Sequence, residues 1–214
     1  MLIQDILFEI KSLTNIPLLI VHKYKNSELI ESNNQLDWAG NFTHMFGYEG
    51  QGMKECLRGY LSIHADHEGG NVSAHGCHLV GSALADPYLS YSTAMNGLAN
   101  QECLKWLFDL KKFHKGERPN RQKIQEFVNK TLMEGRVIPG YGHAVVRNTD
   151  PRFMHLKGFA DKYIKNDYIA DLARECFNKI PGILGQIGKI KNPDPNVDAF
   201  NGVCLQHYGK ILII

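Results

Sequence analysis

Histidines, carboxylates and arginines set among glycines mark where this 214-residue sequence could do chemistry. In His64-Ala-Asp-His67-Glu68-Gly-Gly-Asn71, polar side chains flank a Gly69-Gly70 break that lets backbone N–H groups approach a ligand. An anion would suit the start of the helix that follows. Plain capping fits the same spacing, with Asn71 as N-cap and Glu68 as a turn residue. In Val137-Ile138-Pro-Gly140-Tyr141-Gly142-His143, two glycines around an aromatic residue form a loop whose backbone can cradle a flat or phosphorylated ligand. The loop holds His143 beside it and leads to Arg147, Asp150-Pro151 and Arg152. Further on, Pro193 and Pro195 stiffen the entry to Asn196-Val-Asp198 and would aim Asp198; capping of the next helix is its alternative use. Asn96-Gly-Leu-Ala-Asn100-Gln101 and Gly202–Gly209 complete the polar and glycine-rich set. His64, His67, His75 and His78 invite a metal reading, but no HExxH spacing and no carboxylate at helical distance from both His75 and His78 support one, so no metal is expected.

The elements that must position these groups read as helices. Over Asp161–Ile180, Ile169, Leu172, Ala173, Cys176, Phe177 and Ile180 recur at helical spacing, and Pro181-Gly182 supplies a stop. Arg121–Met133 repeats the pattern with Ile124, Phe127, Val128 and Leu132, and Gln101–Phe113 does so with Leu104, Leu107, Phe108 and Leu110. These two are expected to pair around a Gly116–Asn120 turn. Asn71–Leu84 is rich in Gly, Ser and Ala, which allow close helix approach, and reads as a deeply packed or subunit-interface helix ended by Pro87. Leu18–Val21 fits a strand or a helix middle equally well, and the apolar Ile211–Ile214 tail needs cover to avoid aggregation.

With 24 basic and 22 acidic residues and no basic block, the chain shows no electrostatic footprint for nucleic acid or a membrane surface. No apolar run approaches the roughly 20 residues that span a bilayer. Five cysteines, odd in number, widely spaced and free of CxxC pairs, argue for reduced thiols. The Met1 end lacks the Arg- and Ser-rich character of a transit peptide, so any targeting segment is expected outside this chain.

Four motifs in order carry a resemblance: Ile63-His-Ala-Asp-His-Glu-Gly-Gly-Asn-Val-Ser-Ala-His75, Val80-Gly-Ser-Ala-Leu-Ala-Asp-Pro-Tyr88, Gly135-Arg-Val-Ile-Pro-Gly-Tyr-Gly-His-Ala-Val-Val-Arg147 and Asn196-Val-Asp198. From about Asp5 to Gly209 the chain resembles citrate synthases of the mitochondrial branch. The resemblance implies an all-α, citrate synthase-like two-domain helical fold, incomplete at both ends. Residues 1–99 would be part of the large, dimer-forming domain, 100–209 part of the small, CoA-binding domain, and 210–214 a divergent tail. It implies condensation of acetyl-CoA with oxaloacetate by a homodimer of the mitochondrial matrix, with no cofactor beyond the acetyl-CoA substrate. By the same resemblance Asp198 is the base that takes the acetyl proton, and His143 polarises the oxaloacetate carbonyl. His67, Asn71 and Arg152 bind oxaloacetate, Arg152 through a planar fork suited to carboxylates. Val137, Ile138, Gly140, Tyr141, Gly142, Arg147 and Asn196 contact CoA.

The sequence also departs from the family. Citrate synthases place a Gly-Pro-Leu-His insert between two Gly-Leu-Ala copies, and its histidine stabilises the acetyl-CoA enol; here Met95-Asn96-Gly97-Leu98-Ala99-Asn100-Gln101 runs straight through. Losing one such donor costs about 10²–10³ in rate. Phe200-Asn201 stands where the family has His-Ser, and the later family arginines have no counterpart here. The alternative to a working enzyme is therefore a catalytically inactive member that binds or assembles, or an incomplete copy of an active one.

Overall fold

The computed structural model describes residues 30–64, 72–83, 98–114, 120–142, 148–187 and 192–209. The readings of Leu18–Val21 and of the 210–214 tail lie outside them. The chain divides into two compact units, Met1–Asn96 and Gly97–Ile214. Among the described residues every regular element is helical, and the isolated bridge between Tyr141 and Pro195 is the sole β feature.

In the first unit, α1 (Trp38–Met45) and α2 (Gln51–Ile63) pack through Ala39, Met53, Cys56 and Leu57. Asp37 caps α1 by accepting from Gly40 N–H at 2.7 Å, and Arg58 of α2 reaches back to the same carboxylate at 2.8 Å. The third helix, α3 (Val72–Ser82), is the small-residue helix of the sequence. Of its described side chains His75, His78, Leu79 and Ser82 are exposed and Val80 is half-buried, which corrects deep packing of that face within the chain and leaves the subunit-interface alternative standing. Glycine and alanine let backbones approach but contribute little apolar area of their own.

In the second unit, α4 (Leu98–Phe113) and α5 (Arg121–Met133) form the expected pair, with α4 starting one turn before Gln101. The Trp106 and Phe127 rings lie 5.1 Å apart, and Trp106 Nε1 donates to Thr131 Oγ1 at 3.0 Å inside the core. Asn120 caps α5 through Lys123 N–H.

The long helix expected over 161–180 is two helices, α6 (Pro151–Tyr163) and α7 (Tyr168–Ile187). Three local features make the break. Ile164 leaves helical backbone, Asn166 takes a left-handed φ of 57°, and Asp167 Oδ1 caps the new helix by accepting from Ile169 and Ala170 N–H. Arg174 then seals the corner, donating to the Ala160 and Ile164 carbonyls that end α6 and pairing with Asp161 and Asp171. The stop expected at Pro181 is also absent: α7 runs through it to Ile187. Ile183 and Leu184 beyond the proline are 1% and 2% exposed. At about 2 kcal/mol each, their burial exceeds the roughly 3 kcal/mol cost of an interior proline.

The last helix, α8 (Asp198–Gly209), packs against α4, α6 and α7. Phe200 meets Phe153 of α6 edge-on at 5.9 Å, both fully buried, and His207 Nδ1 lies 2.7 Å from Asp167 Oδ2 at the head of α7. The architecture thus delivers the start of α8 into the middle of the bundle.

Thr131→Val keeps the side-chain shape but removes the acceptor of the buried Trp106 N–H. The expected loss is roughly 1–3 kcal/mol in urea unfolding, the cost of an unpaired buried donor, against less than about 0.5 kcal/mol for a change at an exposed site such as Lys112.

Candidate functional site

The turn 138–142 and the segment 192–198 are stitched together by backbone and by one side chain. Gly142 N–H donates to Asp194 O at 2.9 Å, and Asn196 N–H donates to Gly140 O at 2.9 Å. The Asn196 amide closes both sides, its Nδ2 donating to Gly142 O at 2.9 Å and its Oδ1 accepting from Asp198 N–H at 3.0 Å. That last bond fixes the first residue of α8, so the half-buried Asp198 stands beside the turn on a rigid helix start.

Glycine is required in the turn for two reasons. Gly140 and Gly142 have φ of 79° and 86°, where side chains are disfavoured. At Gly140 a Cβ would also lie 2.8 Å from Ala199 Cα and 2.9 Å from Cys103 Sγ. The turn therefore touches the α8 backbone directly, and Cys103 on α4 donates its thiol to Pro139 O at 3.6 Å from below. Burial pushes the Cys103 thiol up to about 12, and the Asp198 carboxylate nearby adds to the effect. Burial likewise raises the Tyr141 phenol well above its ordinary value, with the Cys176 and Cys103 thiols next in effect. Tyr141 is half-buried, while Ile138 is buried and Val137 is 79% exposed at the rim.

Arg152 sits at the head of α6 and grips Asp150, with Nε 3.0 Å from Oδ1 and Nη2 2.8 Å from Oδ2. Asp150 is 2% exposed and also accepts from Arg152 N–H at 2.9 Å and Val197 N–H at 3.1 Å. Burial alone would raise its carboxyl; the Arg152 hydrogen bonds and charge, with Val197 N–H, outweigh it and hold it below the usual carboxylate range. Asp150 has no role in the sequence reading, yet it ties the start of α6 to the start of α8. The Asp-Pro pair at a helix start was the available signal.

Of the site residues named from sequence, the structure brings together Ile138, Gly140, Tyr141, Gly142, Asn196 and Asp198, with Arg152 joined to them through Asp150 and Val197. His67, Asn71, His143 and Arg147 lie outside the described residues. Among the described residues no His, Cys, Asp and Glu groups gather in a metal-holding cluster.

The fold defines a class first. The chain superposes on the citrate synthase of Thermotoga maritima with a TM-score of 0.73 at 23% identity, over 92% of this chain and 53% of that one. A citryl-CoA lyase from Hydrogenobacter thermophilus shares the fold at a TM-score of 0.60 and 16% identity, over 84% of this chain and 72% of that one. The family model for the citrate synthase C-terminal domain matches residues 4–210, and the chain belongs to the citrate synthase family. It is 53% identical over 195 residues to a mitochondrial citrate synthase of Tetrahymena thermophila, covering 88% of this chain and 42% of that protein. It is 49% identical to a mitochondrial citrate synthase of Arabidopsis thaliana over 87% of this chain and 40% of that one. The chain thus spans about two-fifths of the length of these curated relatives.

Gly140→Ala places a methyl group against the Ala199 backbone at a positive φ. Expected is a loss of about 3 kcal/mol or more in chemical unfolding, combining strain and overpacking. Gly135→Ala, also at positive φ but with nothing within 4 Å of its Cβ, serves as control and loses only the strain, about 1 kcal/mol.

Asp150→Asn removes the buried charge from its pair with Arg152, at an expected cost near 3 kcal/mol at pH 7. Because the folded carboxyl titrates low, its contribution is fully present above the unfolded value of about 3.9 and fades as pH falls through the folded value. The gap between wild type and variant in urea unfolding should therefore be widest at neutral pH and shrink below about pH 4.

Proposed function

We propose that this chain carries part of an acyltransferase that condenses acetyl-CoA with oxaloacetate to give citrate and CoA. The observation that supports this most directly is the Asn196 strap, which holds a half-buried carboxylate, Asp198, at a rigid helix start beside a glycine-formed turn. Proton removal from an acetyl methyl needs such a fixed base within reach of a bound thioester. Asp198 is the base, and His143 polarises the oxaloacetate carbonyl. His67, Asn71 and Arg152 receive oxaloacetate, with Arg152 oriented by Asp150. Val137, Ile138, Gly140, Tyr141, Gly142, Arg147 and Asn196 form the CoA side, where buried Ile138 and half-buried Tyr141 hold the turn's shape and exposed Val137 offers apolar surface. Residues 1–99 belong in this reading to the large domain and 100–209 to the small one. The working form is a homodimer in the mitochondrial matrix; the curated relatives are named mitochondrial.

A second reading, an inactive member that binds CoA or assembles with other chains, is favoured by one observation. The segment that enters α4 runs from Gly97 to Gln101 without the family's histidine.

The deciding experiment measures release of free CoA by the purified chain with acetyl-CoA and oxaloacetate, beside an Asp198→Asn control. The expected result is turnover that falls about 10²-fold or more in the control, as for removal of a general base. A folded chain without turnover supports the second reading.

A further inference from the structure

The polar residues at the head of α4 have no part in the reaction described above, yet one of them makes the most unusual contact in the bundle. Asn100, 8% exposed, accepts from Nδ2 of Asn201, which is fully buried, at 3.0 Å; the two residues are 101 positions apart in sequence. Asn201 Oδ1 is buried with no partner. An unpaired buried acceptor costs roughly 1–3 kcal/mol, and two apolar residues of the same shape would hold α4 against α8 at least as firmly. Stability alone therefore does not explain the pair.

Its position does. Asn201 is three residues after Asp198, one turn along α8, and Cys103 is three residues after Asn100 on the same face of α4. Through Cys103, α4 also touches Pro139 O, and through the missing Cβ of Gly140 the turn rests on Ala199 with no slack. One face of α4 thus contacts both halves of the candidate site, and its directional contact with α8 is the amide pair. Buried polar pairs are poor glue but good register marks, since an apolar seam can slide and a hydrogen bond between two fixed helices cannot.

We propose that Asn100 is a positioning residue: through the Asn201 amide it fixes the axial register of α8, and so the height at which Asp198 meets the Pro139-Gly140 turn. This deepens the acyltransferase reading and rests on it for its meaning, but its test needs no ligand. In the whole chain, amide hydrogen exchange is compared between wild type and the Asn100→Leu/Asn201→Leu double variant. The expected result is about tenfold faster exchange at Gly142 and Asn196, the amides that join the turn to the α8 entry, with unchanged rates at Val128 and Thr131 of α5. Unchanged exchange at Gly142 and Asn196, or equal acceleration at all four, would overturn the proposal, the latter meaning that the pair only adds stability. Should the double variant not fold, Asn201→Ser, which shortens the side chain and breaks the bond to Asn100, carries the same expectation and the same refutation. CoA release by the wild type judges the functional reading separately. A chain without turnover but with the local exchange change would refute that reading and keep this inference.

Discussion

A single buried charge organises the site. The Asp150 carboxylate is taken out of water to 2% exposure, and such a charge is tolerable only when fully paired. Its partners come from two places in the chain, the Arg152 guanidinium and N–H at the head of α6 and the Val197 N–H just ahead of α8, while its own N–H donates to Pro195 O. Moving either helix start would strand the charge, so both are fixed together. With Val197 held, Asn196 and Asp198 on either side of it are held too. The strap from Asn196 to the glycine turn then has one place to go. Packing among Phe153, Phe177 and Phe200 fills the space behind this anchor but does not by itself choose a register.

The helices were legible where local chemistry and burial agree. Arg121–Met133 has a periodic apolar face that coincides with the helix found, which the Asn120 cap and the left-handed Gly135 bound in the structure. Legibility failed where tertiary burial overrides a local rule. Pro181 is a helix stop by every local criterion, but Ile183 and Leu184 continue the buried stripe and the helix continues with them. The break after Tyr163 failed in the opposite sense. The periodicity from Ile169 onward gives no sign of where the helix starts, and the left-handed Asn166 and the Arg174 bonds to α6 carbonyls depend on a neighbour that periodicity does not contain.

For the site, glycines were the most informative residues. Gly140 and Gly142 were singled out because two glycines around an aromatic leave backbone open, and both have positive φ, one with no room for a methyl group. Asp198 was legible as either a functional group or a cap. The structure puts it in the first turn of α8, while the local capping bond comes from Asn196. Asp150 and the Asn100–Asn201 pair were not legible as positioning groups. Their meaning lies in contacts across 47 and 101 residues of sequence, and a buried carboxylate or amide looks in sequence like any surface one.

In the acyltransferase reading proposed above, the hydrogen-bond pattern also limits where a second polar group can come from. Taking a proton from a thioester methyl requires a donor to the oxygen that becomes the enol, and backbone N–H groups in a glycine turn are common suppliers of such donors. Here four N–H groups of the turn and the α8 entry are committed. Tyr141 N–H goes to Ile138 O, Gly142 N–H to Asp194 O, Asn196 N–H to Gly140 O and Asp198 N–H to the Asn196 side chain. Freeing any of them would loosen the strap that holds Asp198. The turn and the α8 entry therefore supply a placed carboxylate and a shaped surface, and the N–H groups that build the strap are not available as oxyanion donors. In the acyltransferase reading proposed above, the enol donor is then a group that the strap does not use, and the passage from Gly97 to Gln101 carries no histidine to serve as one.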